Sequence, residues 1–252
     1  MIFESAVLFA SGFISSIYGA LSGGAAVLTV PVMILLGLGP AAAVATNRFV
    51  IFLQGLTRLP YVYGKLNVGL KVPAVIIAFH TIGAIAGALI LVSIEESLSL
   101  PILGIILLTG AAFTWFSPKG IERKGQKEIT GKSLAVSSVL MALIGVYRGF
   151  FGPASGTMSR LVFVHFLGLN FTQTFALTSY STFAASVVTL AIYLNAGLVN
   201  FAFGLPLAVG AIVGVVLGTN FILNKGETFM KNAFVALTVI FGVYFILSGV
   251  LK

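Results

Sequence analysis

Aspartate and cysteine are both absent from this sequence, and its six glutamates, Glu4, Glu95, Glu96, Glu122, Glu128 and Glu227, fall in loops or near the ends of apolar stretches. Without cysteine there is no disulfide framework, no thiolate nucleophile and no sulfur-ligated metal. Without aspartate, and with every glutamate at an edge, no chain of buried carboxylates can relay protons or cations through a membrane. The two histidines, His80 and His165, stand far apart without metal-ligand spacing and read as packing or interfacial residues. No metal and no cofactor is therefore expected. A membrane-embedded enzyme would need a nucleophile, a base or a metal set that these absences remove.

Charge is scarce as well. Charged residues make up 8% of the chain against 59% hydrophobic, and mean hydropathy is +1.13. Soluble domains carry about 25% charge, so the composition describes an all-α polytopic membrane protein that uses the lipid bilayer as its solvent. The net charge of +8 would suit nucleic acid only if the basic residues formed an exposed stripe, and they do not cluster that way. Membrane topology accounts for them better. The opening residues, MIFESAVLFA, have neither a basic leader nor a small-residue cleavage site and read as the start of a retained helix.

What is present is long apolar runs, interrupted twice by the same device. Eight hydrophobic segments run at 2–38, 41–63, 70–92, 98–116, 133–167, 171–195, 198–223 and 228–251, in two sets of four. Segments 1 and 5, at about 35 residues, exceed the ~20 that one span needs. Each is broken near its middle, by Ser22, Gly23, Gly24 and then Pro31 in the first, and by Gly149, Gly152, Pro153 and Gly156 in the second. The organisation is thus a first transmembrane repeat over 1–116, a basic linker over 117–132 and a second repeat over 133–252.

Several correspondences support duplication. Gly64, Asn67 and Pro73 recur as Gly197, Asn200 and Pro206 at an offset of 133. Gly24 maps on Gly156 and Thr46-Asn47 on Thr178-Ser179 at 132, and Gly83-x-x-x-Gly87 returns as Gly214-x-x-x-Gly218 at 131. The glycine pairs read as helix-packing positions, since small residues let backbones approach closely in lipid. Lys and Arg outside the segments divide eight to two between the two faces if segments 1 and 5 cross once, and nine to one if each dips in and returns. The second arrangement is favoured by the positive-inside rule, leaves three full crossings per repeat and makes the repeats inverted. The oligomeric state stays open, a homodimer included.

The functional signal lies in the breaks. Arg48, Arg58, Arg148 and Arg160 sit inside hydrophobic segments with no acidic partner, which calls for an anion or a water-filled cavity. Arg58, near the end of its segment, reads as a side chain snorkelling to the headgroups. Arg48, Arg148 and Arg160 lie beside the breaks, where a guanidinium offers paired donors to an oxyanion. A helix restarting in mid-membrane points its positive end at the same place, and Ser22-Gly23-Gly24 and Ser155-Gly156-Thr157 are the expected starts. Thr46, Asn47, Thr178 and Ser179 can ring the same solute, or bond to their own helix backbone instead. The expected substrate site is therefore Ser22, Gly23, Gly24, Thr46, Asn47 and Arg48 from one repeat with Arg148, Ser155, Gly156, Thr157, Thr178 and Ser179 from the other.

The broken first segment with its G-G pair, the glycine-proline turn at Gly152-Pro153, the A-T-N and L-T-S steps and the repetition of the device resemble the TauE/SafE family of sulfite exporters, also called TSUP permeases. The resemblance spans nearly the whole chain, its order and duplication carrying more weight than any single motif. It implies a multi-pass transporter of sulfite, organosulfonates or related small anions in the prokaryotic cytoplasmic membrane. A passive anion channel, or a carrier of carboxylates, would use the same arginines and helix ends. The linker Ser117 to Lys132 holds five of the ten cations outside the segments, so it is expected on the cytoplasmic side. A cysteine introduced there should resist an impermeant thiol reagent in intact cells and react once the cells are opened; labelling in intact cells would reverse the assignment.

Overall fold

The computed structural model describes residues 2–22, 26–116, 129–222 and 227–250. Among them there are ten helices and no strand: α1 (Ile2–Ser22), α2 (Ala26–Leu35), α3 (Pro40–Val62), α4 (Lys71–Ser93), α5 (Glu96–Phe116), α6 (Gly131–Phe150), α7 (Ser155–Leu167), α8 (Phe171–Asn195), α9 (Phe201–Ile222) and α10 (Glu227–Val250). Helix is what lipid demands, because every backbone donor and acceptor must then be met within the segment. Among the described residues α4, α6, α8 and the Leu98–Phe116 part of α5 are long and apolar enough to cross a membrane.

The eight apolar segments become ten helices because the first and fifth each split in two. α2 has 10 residues and α7 has 13, about 15 and 20 Å at 1.5 Å per residue, roughly half a bilayer. Pro31 does not break the chain as its composition suggested; it lies inside α2. Gly149 likewise belongs to the last turn of α6 and Gly156 to the first turn of α7. The second break is residues 151–154, where Gly152 (φ 74°) and Ala154 (φ 61°) adopt left-handed backbone. Side chains fix the helix starts at one face: Thr130 and Ser133 cap α6 reciprocally, and Asn170 and Gln173 do the same for α8.

Helix directions follow from paired contacts. On α9, Gly210 meets Phe9 and Phe13 of α1, and Gly214 meets Phe13 and Ser16, so α1 and α9 are parallel. On α4, Gly83 meets Ala142 and Val146 of α6, and Gly87 meets Val146 and Phe150, so α4 and α6 are parallel too. α5 and α10 are antiparallel, with Gly104 against Ile246 and Gly242 against Leu108. α3 and α8 are also antiparallel: Phe52 stacks on Phe183 at 5.7 Å, and Arg58 lies over Phe175. With short turns between α3 and α4 and between α8 and α9, α1 must run the same way as α3, and α6 the same way as α8. Within each broken segment the chain therefore doubles back, α2 and α7 forming the returning arms.

Close approach is bought by glycine. A Cβ on Gly83, Gly87, Gly145 or Gly149 would collide with backbone of the facing helix in the α4–α6 pair, and one on Gly12, Gly210 or Gly214 would do so in the α1–α9 pair. The glycines that play the part of Gly83 and Gly87 in the second half are thus Gly210 and Gly214, one turn before the pairing read from sequence spacing. Two apolar clusters fill the rest. The larger gathers α2 with residues of α3, α5, α9 and α10; the smaller, around Ile76, Met141 and Phe163, lies among α4, α6 and α7.

Overpacking of this kind costs about 1–3 kcal/mol or more, because a backbone carbonyl cannot step aside. Gly87→Val should accordingly lower the melting temperature and yield of purified protein, whereas Gly69→Ala, whose added carbon meets no atom within 4 Å, should leave both unchanged. Equal behaviour of the two variants would contradict the tight α4–α6 seam.

Candidate functional site

The break in the second half sets the geometry. α6 ends at Phe150 inside the protein, the chain turns through residues 151–154, and α7 starts at Ser155. Tyr147 braces the turn, its hydroxyl donating to Pro153 O at 2.9 Å. The carbonyl end of one helix and the N-terminal end of another therefore lie side by side, offering partial charges of opposite sign. Arg48, 2% exposed, reaches across from α3 and donates from Nη2 to Arg148 O at 2.5 Å and Gly149 O at 3.5 Å. The Tyr193 hydroxyl donates to the same Gly149 O at 2.5 Å. Arg148, 7% exposed, turns back over the break and donates to Ser155 Oγ at 2.7 Å.

These groups wall a cavity of about 50 Å³, room for a few waters or one small anion. Arg48, Ile51, Gln54, Gly55 and Arg58 of α3 form one wall, with Ser16 of α1 and Ala26, the first residue of α2. Opposite them stand Arg148, Phe151 and Gly152 at the end of α6, Gly156 in the first turn of α7, and Thr178, Ser179 and Thr182 of α8. The starts of both half-length helices thus meet at the cavity, one from each half of the chain. Three guanidinium groups line it and no carboxylate does. The Nε atoms of Arg48, Arg58 and Arg148 and the Oγ1 of Thr178 are all buried without a hydrogen-bond partner. A buried donor with no acceptor costs about 1–3 kcal/mol, more when charged, so residues with unmet donors walling an acid-free cavity favour an anion there. Among the described residues no group of His, Cys, Asp and Glu could hold a metal.

Of the twelve residues expected from sequence, Arg48, Arg148, Gly156, Thr178 and Ser179 line this cavity. Ser155 stands one bond behind, on Arg148, and Thr157 lies in the same turn of α7 within 3.5 Å of Arg160. Thr46 and Asn47 are turned elsewhere. Thr46 Oγ1 accepts from Asn200 N at 2.9 Å, and Asn47 Oδ1 accepts from Thr29 Oγ1 at 2.8 Å, so they tie α3 to the turn before α9 and to α2. Ser22 closes α1 with its side chain outside the described residues, and Gly23 and Gly24 lie outside them altogether. His80 is buried with Nδ1 3.1 Å from Ser181 O, while His165 is exposed beside Phe166.

Sequence reasoning missed Ser16, Gln54, Thr182 and, above all, Arg58. Arg58 does not reach for the headgroups; its guanidinium lies 5.9 Å from the centre of the Phe175 ring, a neutral partner for a cation, and lines the cavity. The signal was in the spacing. Residues 48, 51, 55 and 58 share one helical face; Thr46 lies off it, and Asn47, one turn before Ile51, shares the face but has its amide oxygen taken by Thr29. Gln54 adds a donor held by its bond to Ser16 Oγ at 2.6 Å.

A helical membrane protein whose half-length helices converge on a cationic interior cavity has the form of a transporter. This chain belongs to the sulfite exporter TauE/SafE family, whose profile matches residues 8–245. It is 28% identical over 227 residues to a "probable membrane transporter protein" of Haemophilus influenzae, covering 90% of this chain and 88% of that one. It is 26% identical over 234 residues to the "probable membrane transporter protein YfcA" of Escherichia coli K12, covering 93% and 86%. A "probable membrane transporter protein ORF9" of Sinorhizobium sp. is 26% identical over 236 residues, covering 93% and 89%. No solved structure matches the chain.

If the cavity holds an anion, Arg148→Met should weaken its binding by roughly 1.5–3 kcal/mol, about tenfold to a hundredfold. Thr178→Val, which removes a hydroxyl at nearly constant volume, should cost about 0.5–1.5 kcal/mol. Calorimetric titration of purified variants measures both; unchanged affinity in Arg148→Met would leave that side chain a purely structural role.

Proposed function

We propose that the protein is an alternating-access carrier of a small oxyanion, of the sulfite, organosulfonate or related sulfur-anion class, across the cytoplasmic membrane, and not an enzyme. The observation that carries this reading is the convergence of three acid-free guanidinium groups and an unpartnered hydroxyl on one cavity. Its size suits a molecule of a few heavy atoms, and its donors suit oxygen acceptors. Membership of the sulfite exporter family supports the sulfur class.

The helix directions support alternating access. α1 packs on α9 as α6 packs on α4, α3 pairs with α8, and α5 with α10, so each of these contacts has a counterpart under exchange of the halves, which run in opposite senses. Inverted repeats of this kind give two conformations of similar energy that open to opposite sides. We read the end of α3 and the starts of α4 and α6, with Lys65, Lys71 and Lys132, as the cytoplasmic face. From Arg48 to Arg58 the cavity extends ten residues along α3 toward that face, about 15 Å. An anion coming from the cytoplasm would meet Arg58 first and Arg148 after it.

Purified protein in lipid vesicles tests the reading. Uptake of radiolabelled sulfite should saturate, and preloading with unlabelled sulfite should accelerate entry of label. Linear, non-exchanging flux would indicate a channel, and saturable uptake of acetate with none of sulfite would move the substrate to the carboxylates.

A further inference from the structure

The carbonyl end of α6 has an occupant of unusual kind. The last carbonyls of any helix have no partner within it and together carry about half a negative charge. Where the helix ends at the membrane surface, water satisfies them; inside the bilayer they need another donor or a cation. Carriers with broken helices place a coupling sodium ion at such ends. Here Tyr147 O accepts from Phe151 N, and Arg148 O and Gly149 O accept from Arg48 Nη2, with the Tyr193 hydroxyl completing Gly149 O. The cation at this end is therefore a side chain of α3, from the opposite half of the molecule. Its Nη2 faces the carbonyls, while its Nε is buried without a partner and the residue lines the cavity. One residue thus holds a carbonyl cage with its Nη2 and forms part of the wall of the cavity proposed for the anion.

We propose that Arg48 is a tethered counter-cation: its guanidinium fills the position at which broken-helix carriers hold a coupling sodium ion, so that this protein moves its anion without sodium. The proposal rests on the anion-carrier reading for its consequence in transport, and on the cage alone for its structural part. Arg48 acts here as a positioning residue, holding the end of α6, and with it Arg148, in the shape that receives the anion. The planar fork matters as much as the charge, because it satisfies the cage with one edge and leaves another for the solute.

Three measurements on the full-length protein test this. In vesicles, wild-type uptake of radiolabelled sulfite should be unchanged when choline replaces all sodium; a loss of about tenfold or more would assign the coupling to sodium and overturn the proposal. Arg48→Ala should lose uptake and regain a substantial part of it with millimolar guanidinium but not with urea, which has the same shape without the charge. Arg48→Lys should retain an intermediate rate. Failure of guanidinium to restore uptake, or equal rescue by urea, would show that no fixed cation is needed there. If wild-type protein carries no sulfite at all, the carrier reading fails, and melting in detergent still decides the cage: guanidinium should raise the melting temperature of Arg48→Ala and not that of the wild type. Equal shifts in the two proteins would remove the cage from α6.

Discussion

Burying positive charge in hydrocarbon without a carboxylate to answer it is the constraint that shapes this molecule. Three arginines line its cavity, and each is met by a different neutral group: helix carbonyls for Arg48, the face of a phenylalanine ring for Arg58 and the Ser155 hydroxyl for Arg148. None of these partners cancels a full charge. The break in the fifth apolar segment serves the same need, because a helix that ends inside the protein exposes carbonyls to a guanidinium there. A break that is costly as local structure is what makes buried cations tolerable. The remaining positive potential is concentrated on the cavity, where an anion would be the missing component.

Much of the fold could be read from composition and punctuation. Apolar runs located the helices to within a few residues, since lipid leaves a segment no alternative to helix, and glycine clusters located the two breaks. The form of the breaks was less legible: Pro31, a helix breaker by reputation, sits within α2. The site was partly legible. Charge in an apolar run is conspicuous, so Arg48 and Arg148 stood out, but adjacency does not show that Thr46 is bonded to Asn200 and Asn47 to Thr29, both as ties between helices. Arg58 was misread for the opposite reason. Nearness to a segment end says nothing about which way a side chain turns, and the 48–51–55–58 face shows that it turns inward.

The pairing of helices also bears on how the two halves cooperate. Neither half is a self-contained body, because the tightest seams, α1 with α9 and α4 with α6, each join one half to the other. The cavity is nevertheless split cleanly between them, with residues 16–58 on one wall and 148–182 on the other. On the carrier reading proposed above, the movement would pass through α3 and α8, whose contact sets the Phe183 ring against Phe52 and Gly55 rather than backbone against backbone.

Those same seams set a timetable for the protein's birth. The surface of α1 around Gly12 finds its match only at Leu207 and Ala211, which leave the ribosome after nearly all the intervening chain. At ~5–20 residues per second roughly ten to forty seconds pass before the partner of the Gly12 surface is made. During that interval a neighbouring chain at the same stage presents the same unmet surface. Biogenesis of this protein is thus a race between the arrival of its own ninth helix and an encounter with someone else's first.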